Sequence, residues 1–258
     1  MDLVVRRNRR LSADCLQMEV EWPAALADPQ PGQFVMVRTR TATEPLWRRP
    51  FGVHDFRQGR GVRVAEILYQ VVGPTTRDLA DRRPGEAIDL VGPLGKGFSL
   101  EGEEHLLVAG GRGIAPLFFL ARRLKRGRRD VRVLIGGATA GHVLKVKEME
   151  GMGFPVETAT VDGSLGKKGL ITALLAKRLR SLSAGRRSGL VVAACGPEPM
   201  LKAVGELAAR AGVPAQLSLD TLMACGQGYC QGCTVSTGSG YRLCCQDGPV
   251  FSNRELSW

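Results

Sequence analysis

The strongest constraint on this chain is a loop rich in cysteine and glycine near its C-terminus. Cys225, Cys230 and Cys233 follow the spacing C-x4-C-x2-C, and a fourth thiol follows at Cys244 or Cys245. This spacing matches that of a [2Fe–2S] cluster, which takes four thiolates. A loop that wraps closely around a cluster needs backbone with positive φ, which glycine supplies at Gly226, Gly228 and Gly232. The segment therefore predicts an iron–sulfur site.

Two other interpretations of the cysteines stay open. A structural zinc site also takes four thiolates, although its usual signature is two short Cys pairs and not three Cys in one loop. A disulfide framework suits a secreted chain, but the first residues become charged at Arg6 and Arg7 and show no signal-peptide pattern. We therefore expect reduced thiols and a cytoplasmic protein.

The composition is that of a globular protein with two or three domains. Of the 258 residues, 44% are hydrophobic and 24% charged, and no apolar run approaches the roughly 20 residues of a membrane span. The net charge of +11 raises the possibility of nucleic-acid binding. Aromatic residues make up only 5% and do not interleave with the basic runs, so stacking platforms for bases are missing. We expect anionic cofactors or an acidic partner, and neither nucleic acid nor membrane.

The order of the predicted elements indicates three parts. Residues 1–100 contain short β-rich runs bounded by Gly and Pro, without helices between most of them, which predicts an antiparallel β-barrel. In residues 101–215, apolar runs at 105–109, 131–135 and 190–194 alternate with helical patterns at 114–126 and 170–179 and from Pro199, which predicts a parallel sheet with helices on its faces. Residues 216–258 form the cluster domain. The fold class is thus multidomain, β plus α/β.

Three segments of the barrel part suit an extended dinucleotide. Arg48 and Arg49 stand beside the rigid Pro50, and guanidinium groups match the geometry of a pyrophosphate. Close-approach turns, hydroxyls and backbone donors come from Gly73-Pro74-Thr75-Thr76 and from Gly92-Pro93-Leu94-Gly95-Lys96-Gly97-Phe98. An ordinary turn between strands explains each segment taken alone, whereas together they predict a dinucleotide site.

Two loops of the α/β part lie where parallel sheets bind ligands. Gly110-Gly111-Arg112-Gly113 joins a strand to a helix, where backbone N–H groups and the helix dipole receive phosphate. It is not a complete G-x-G-x-x-G pattern, and a structural tight turn explains it about as well. Cys195-Gly196-Pro197 also ends a strand, and its lone Cys is by default a small buried residue.

Taken in order, these motifs resemble the ferredoxin–NADP reductase superfamily. The cluster loop, which ends in Cys245-Gln246-Asp247-Gly248-Pro249, narrows the resemblance to the electron-transfer subunits of NAD-dependent dihydroorotate dehydrogenases. The resemblance covers nearly the whole chain. It implies an oxidoreductase subunit with FAD, a [2Fe–2S] cluster and NAD(H) or NADP(H) as substrate, bound in a hetero-oligomer to a catalytic flavoprotein subunit.

The resemblance also assigns residues. It places FAD on Arg49 through Val53, with the pyrophosphate on Arg49 and the isoalloxazine along Pro50, Phe51 and Gly52. It adds phosphate contacts at Thr76 and in the turn of Gly95, Lys96, Gly97 and Phe98, and Gly73 and Thr75 are further candidates for FAD binding. Nucleotide contacts fall on Gly110, Gly111, Arg112, Gly113, Cys195 and Gly196, and the cluster ligands are Cys225, Cys230, Cys233 and Cys245. Cys244 is then a bystander, as expected if the two neighbours lie on an extended chain and point to opposite sides.

The chain departs from its apparent family at two sites. Gly52 stands where Ser is common, so a side-chain hydrogen bond to the flavin is absent. Arg112 stands in the nucleotide loop where a small or aliphatic residue is usual, and it either pairs with a pyrophosphate or obstructs its approach. The sequence does not choose between NAD and NADP.

These observations favour electron transfer between a nicotinamide nucleotide and a dihydroorotate dehydrogenase-like subunit in pyrimidine biosynthesis. No paired acid and base residues are required, so we expect no catalytic side chain. The alternatives are the same module serving a sulfhydrogenase or an anaerobic sulfite reductase, and a basic zinc-stabilised binding module.

Overall fold

The first part of the chain is a closed antiparallel barrel. The structure is a computed structural model that describes residues 1–39, 46–59, 61–183, 185 and 188–258. In these residues six strands close in the order β1-β2-β5-β4-β3-β6. Buried Leu3 and Val5 alternate with exposed neighbours on the first strand, the pattern of a strand with one face in a core. The strands are β1 (Asp2–Arg10), β2 (Cys15–Glu21), β3 (Phe34–Arg38), β4 (Arg49–Gly59), β5 (Val62–Gln70) and β6 (Ala87–Leu94).

One short helix, α1 (Pro74–Ala80), connects β5 to β6. Leu79 of α1 is buried in the hydrophobic cluster that fills the barrel. The Asn8 side chain on β1 donates hydrogen bonds to the carbonyls of Leu79, Ala80 and Arg82, which satisfies backbone acceptors at the end of the helix. The end of α1 is thereby held at a fixed place on the barrel.

The second part is a parallel sheet flanked by helices. Its strands β7 (Glu104–Gly110), β8 (Asp130–Gly137), β9 (Val156–Thr160), β10 (Lys167–Lys168), β11 (Leu190–Cys195) and β12 (Ala215–Ser218) pair in the order β10-β9-β8-β7-β11-β12. Leu106, Leu107, Val108 and Ala109 are all buried, as expected for a central strand covered on both faces. The helices are α2 (Ile114–Arg126), α3 (Val146–Gly151), α4 (Ile171–Arg180) and α5 (Glu198–Ala211). Among the described residues, no helix combines the length and apolarity needed to cross a membrane.

The third part follows β12 and returns to the same sheet. It contains the hairpin β13 (Thr234–Thr237) and β14 (Gly240–Leu243), the single helical turn α6 (Cys244–Asp247) and the strand β15 (Val250–Ser252). β15 pairs antiparallel with β12, so the chain end becomes an edge strand of the second sheet. β12 spans residues 215 and 216, where the sequence placed a domain boundary. The boundaries at 100 and 215 stay predictions.

The second half of β4 packs against α2. The His54 ring stacks on Phe118 with centroids 4.7 Å apart, and its Nδ1 lies 2.9 Å from the carbonyl of Ala115. The next residue, Asp55, is buried and pairs with Arg122. Burial lowers the pKa of His54 to about 3, so the ring is neutral at physiological pH. These contacts fix the sheet domain against the barrel.

We predict that Arg122→Met destabilises the protein by about 3 kcal/mol, because it leaves the buried Asp55 carboxylate without its cation. The control is Arg210→Met, since the Arg210–Glu206 pair on α5 is exposed on both sides and its loss should cost less than about 0.5 kcal/mol. Chemical denaturation of the cofactor-loaded protein measures both changes. Equal losses would mean that the Arg122–Asp55 pair does not hold the domains together.

Candidate functional site

The predicted flavin segment forms the first half of β4. Arg49, Pro50, Phe51 and Gly52 pair antiparallel with β3, with Pro50 opposite Met36. From Val53 onward β4 pairs with β5 instead. This half of β4 is therefore an extended segment that lies near the sheet domain. A Cβ added at Gly52 would lie 3.9 Å from Pro116 at the start of α2.

The two arginines of this segment have different environments. Arg48 pairs with Asp89, a carboxylate that also binds Arg38 at 2.8 Å and the N-terminal amine at 3.2 Å. Arg49 is exposed and donates to the carbonyls of Trp47 at 2.9 Å and Arg48 at 3.4 Å. Arg48 is thus committed to barrel structure, whereas Arg49 presents its charge to solvent, as a pyrophosphate ligand requires.

The start of α1 carries two threonines, Thr75 and Thr76, whose hydroxyls differ in how far their hydrogen-bonding capacity is already used. The Thr76 hydroxyl accepts from the backbone N–H groups of Val72 at 2.9 Å and Gly73 at 3.0 Å, and donates to the Gly73 carbonyl. Thr75 is also buried, yet its hydroxyl has no hydrogen-bond partner within the described residues. A buried polar atom usually has a partner. The structure therefore makes Thr75 a better candidate than Thr76 for a side-chain contact to FAD.

The turn at Gly95, Lys96, Gly97 and Phe98 is used for packing. The backbone N–H of Lys96 donates to Gly248 and that of Phe98 donates to Pro31. A Cβ at Gly95 would lie 2.5 Å from the Gly248 carbonyl oxygen, and one at Gly97 would lie 2.2 Å from that of Pro31. These glycines let the barrel touch the C-terminal part closely, and the two backbone donors expected for phosphate are already occupied.

The two predicted nucleotide loops pack directly on each other. A Cβ at Gly113 would lie 1.9 Å from the Cys195 carbonyl oxygen, and one at Gly110 would lie 2.6 Å from the sulfur of Met200. Gly196 has φ of +159°, and a Cβ added there would lie 3.0 Å from the backbone of Gly110. Three of the loop glycines are therefore required by the contact between the loops.

Gly111 and Arg112 are the outward-facing members of the nucleotide loop. Gly111 has φ of +54°, and a Cβ added there would meet open space. The Arg112 guanidinium lies 3.8 Å from Asp14 of the barrel. On the neighbouring loop, burial raises the pKa of the Cys195 thiol to about 12 despite a hydrogen bond involving Ser218, so Cys195 remains a neutral thiol.

The cluster loop directs backbone donors at its sulfurs. The N–H groups of Gln227 and Cys230 each lie 3.4 Å from the sulfur of Cys225, and that of Cys245 lies 3.4 Å from the sulfur of Cys233. Burial raises the pKa of Cys225, but these backbone hydrogen bonds outweigh burial and lower it to about 7. Donors of this kind stabilise thiolates, so the loop fits a bound cluster.

The predicted ligands meet as two pairs. The backbone N–H of Cys230 donates to the Cys225 sulfur, and that of Cys245 donates to the Cys233 sulfur, so each pair of cysteines lies together. In the described part of the chain, no three metal-ligating side chains converge on a single point. Two pairs of thiols suit the two irons of a [2Fe–2S] cluster, each of which takes two protein ligands.

The structure corrects two details of this loop. Cys244 and Cys245 begin the helical turn α6 and do not lie on an extended chain, so about 100° of rotation separates them. Cys245 faces Cys233, and Cys244 faces Thr221. Gly226 and Gly228 have positive φ as expected, but Gly232 does not, and Gln231 adopts φ of +56° in its place.

The cluster loop touches β3, the strand that pairs with the flavin segment of β4, and sequence reasoning missed this contact. A Cβ at Gly226 would lie 2.5 Å from the buried Met36 side chain on β3. Beside this contact is a cleft of about 280 Å³ lined by Leu46, Trp47, Arg48, Ala224, Cys225 and Gln227. An apolar residue in a strand carries no signal of such a contact. The cleft therefore lies between the cluster loop and the segment that directly precedes the predicted FAD residues.

The chain combines a closed barrel, a parallel sheet of the kind that binds nucleotides, and a loop with four thiols. This combination defines the class of iron–sulfur reductases that bind nicotinamide nucleotides. Residues 220–257 match the family described as the iron-sulfur cluster binding domain of dihydroorotate dehydrogenase B. Residues 107–206 match the oxidoreductase NAD-binding domain. Both matches lie within the regions that the sequence predicted for these domains.

Similar proteins extend over nearly the full chain. The dihydroorotate dehydrogenase B (NAD(+)) electron transfer subunit of Caldanaerobacter subterraneus subsp. tengcongensis is 37% identical, with 98% of this chain and 96% of the relative covered. That of Bacillus caldolyticus is 39% identical, with 88% and 86% covered. The chain belongs to the family of electron transfer subunits of dihydroorotate dehydrogenase B, which confirms the resemblance and its oxidoreductase role.

Solved structures confirm the predicted fold class. An NADH-dependent reduced ferredoxin-NADP oxidoreductase, studied for flavin-based electron bifurcation, superposes with a TM-score of 0.86 at 29% identity, covering 99% of this chain and 90% of that one. A ferredoxin NADP+ reductase from Neisseria gonorrhoeae with bound FAD and NADP has a TM-score of 0.69 at 15% identity, covering 82% and 91%.

We predict that Cys245→Ser abolishes cluster assembly while Cys244→Ser preserves it, because only Cys245 faces the other predicted ligands. The two variants are matched controls, since both residues are buried and adjacent. Iron and acid-labile sulfide analysis of each purified protein measures the difference. Similar iron loss in both variants would show that the assignment of the fourth ligand is wrong.

Proposed function

We propose that this chain passes electrons from a nicotinamide nucleotide, through FAD and a [2Fe–2S] cluster, to a catalytic flavoprotein subunit of the dihydroorotate dehydrogenase type. The observation that carries the proposal is the contact of Met36 with Gly226, because Met36 lies on β3, opposite Pro50 of the flavin segment, and Gly226 belongs to the cluster loop. When bound, FAD accepts a hydride from the nicotinamide and the cluster carries single electrons.

The FAD site is formed by β4 and the start of α1. Arg49 supplies a charge to the pyrophosphate. The buried Thr75 hydroxyl, which has no hydrogen-bond partner among the described residues, supplies a hydrogen-bonding group. The backbone of Pro50, Phe51 and Gly52 would border the isoalloxazine of a bound FAD. Phe51 is held edge-on against Tyr69, with ring centroids 6.0 Å apart, which limits its motion. A serine at Gly52 would fit, since an added Cβ makes only ordinary contact with Pro116.

The nicotinamide site lies between β4 and the two packed loops of the sheet domain. The neutral Cys195 thiol and the backbone of Gly111 border it. The His54–Ala115 hydrogen bond holds the start of α2 next to β4. Fixed separation of this kind favours hydride transfer, because reacting groups are positioned before the reaction.

The partner surface is the exposed side of the cluster domain. Leu222, Tyr229 and Tyr241 are 91%, 84% and 81% exposed, and Tyr229 lies inside the cluster loop itself. Exposed aromatic side chains are typical anchors of protein interfaces. A partner docked here would place its own flavin close to the cluster, which supports a hetero-oligomer with the catalytic subunit.

Co-purification tests the partner. We expect Tyr229→Ser to reduce capture of the dihydroorotate dehydrogenase-type subunit by at least about tenfold, as loss of an interface anchor does. Val72→Ser is the control, because Val72 is 72% exposed but belongs to the barrel. Capture of a different redox enzyme by the wild type would contradict the assigned partner, and equal effects of the two substitutions would contradict the assigned surface.

An anaerobic titration with NADH and with NADPH tests the electron path. The proposal predicts flavin bleaching together with the electron paramagnetic resonance signal of a reduced [2Fe–2S] cluster. Zinc in place of iron, or a protein that neither nucleotide reduces, would contradict it.

We predict that Arg49→Ala weakens the affinity for FAD about ten- to hundredfold, because it removes a charge-assisted contact to phosphate. The FAD occupancy of the purified protein should fall accordingly. Iron content should change little, since the hydrogen bonds that Arg49 makes lie within its own segment, to Trp47 and Arg48. Arg6→Ala is the control, because Arg6 is an exposed barrel arginine on β1. Flavin absorbance per mole of purified protein gives the occupancy. Unchanged flavin content in Arg49→Ala would remove this residue from the site.

A further inference from the structure

Three polar contacts join the barrel to the sheet domain with the same distribution of charge. In each of them the sheet domain supplies the cation, and the barrel supplies an acidic or polar side chain. Arg122 pairs with Asp55, and Arg112 pairs with Asp14. Lys145 donates to Gln17 at 2.7 Å, and Gln17 in turn donates to Glu66.

Two of these three contacts are buried and one is not. The Asp55 side chain is 3% exposed and that of Lys145 is 4% exposed. Arg112 and Asp14 are 40% and 44% exposed, and their nearest charged atoms are 3.8 Å apart. Exposed pairs contribute little, whereas breaking a buried pair is costly. The domain orientation is therefore held by the buried contacts, and the Arg112–Asp14 pair is the one that can open without moving the domains.

Asp14 is held in place independently of Arg112. Its carboxylate accepts hydrogen bonds from Gln70 and, at 3.1 Å, from Ser12. The hydrogen bond from Gln70 lowers the pKa of Asp14, with a smaller contribution from Arg112, so the carboxylate is ionised at neutral pH. The Arg112 side chain extends from the loop that precedes α2, and its charged end meets Asp14 across the domain boundary. When the pair opens, Arg112 is the member that moves.

We propose that Arg112 exchanges the Asp14 carboxylate for the pyrophosphate of the incoming nicotinamide nucleotide, so that Asp14 sets the nucleotide affinity by competition. The inference rests on the proposed function, because it uses the same nucleotide site. Arg112 lies in the loop between β7 and α2, where a parallel sheet receives phosphate, and Gly111 leaves open space beside it. The fraction of molecules with Arg112 held by Asp14 raises the apparent Kd of the nucleotide.

Two single substitutions and their combination test the exchange. Asp14→Asn should tighten NAD+ binding about two- to fourfold, the worth of an exposed ion pair. Arg112→Ala should weaken it about tenfold and make it less sensitive to salt, because a charged contact to phosphate is lost. Adding Asp14→Asn to the Arg112→Ala variant should leave the NAD+ affinity of that variant unchanged. Calorimetric titration with NAD+ measures all three without requiring any reaction.

Glu21→Gln is the matched control. Glu21 forms an exposed pair with Arg6 at 3.3 Å and lies elsewhere on the barrel, and its neutralisation changes the net charge as much as Asp14→Asn does. We expect wild-type NAD+ affinity in this variant. Tightening by both substitutions would reduce the effect to overall charge and overturn the proposal.

The remaining outcomes also decide. Wild-type affinity in Asp14→Asn, weaker binding in that variant, or an equal gain with and without Arg112 would overturn the exchange while leaving the proposed function intact. Tighter binding in Arg112→Ala would mean that the side chain obstructs the site, which also overturns it. Absence of nucleotide binding in wild type and all variants would instead overturn the proposed function together with the inference.

Discussion

The arrangement of the predicted sites depends on the packing of β4 between three neighbours. Its first half pairs with β3, whose Met36 touches the cluster loop at Gly226. Its second half carries His54 and Asp55, which hold α2 and the loop before it. A single strand thus lies next to all three predicted sites, for flavin, nucleotide and cluster. Because the contacts of His54 and Asp55 are buried and polar, a shift of the strand would leave these groups without partners.

Glycine has a second role in the same assembly. In the nucleotide loops and in the turn before the sheet domain, the absent Cβ allows backbone to meet backbone, as at Gly113 against Cys195 and Gly95 against Gly248. These contacts join separate parts of the chain. The glycine-rich composition that suggests ligand binding is therefore explained in part by packing between loops, while a Cβ added at Gly111 would meet open space.

The sequence predicted the elements and the motif order well, because periodic apolar runs and Gly or Pro boundaries are local signals. The predicted helix at 114–126 coincides with α2 (Ile114–Arg126). What it did not predict are contacts between distant residues. Nothing local distinguishes Thr75 from Thr76, or reveals that Arg48 is bound by Asp89 and Arg112 by Asp14. The helical turn at Cys244 was missed because a turn of four residues carries almost no periodicity.

Electrons from the nucleotide should reach the cluster only through the flavin site on β4, and this is the central claim. The most direct measurement is the cluster signal in electron paramagnetic resonance after anaerobic NADH addition, compared between protein stripped of FAD and the same protein after FAD is restored. We expect no cluster reduction without FAD and full reduction once FAD is returned. Reduction of the cluster by NADH in the stripped protein would contradict the claim.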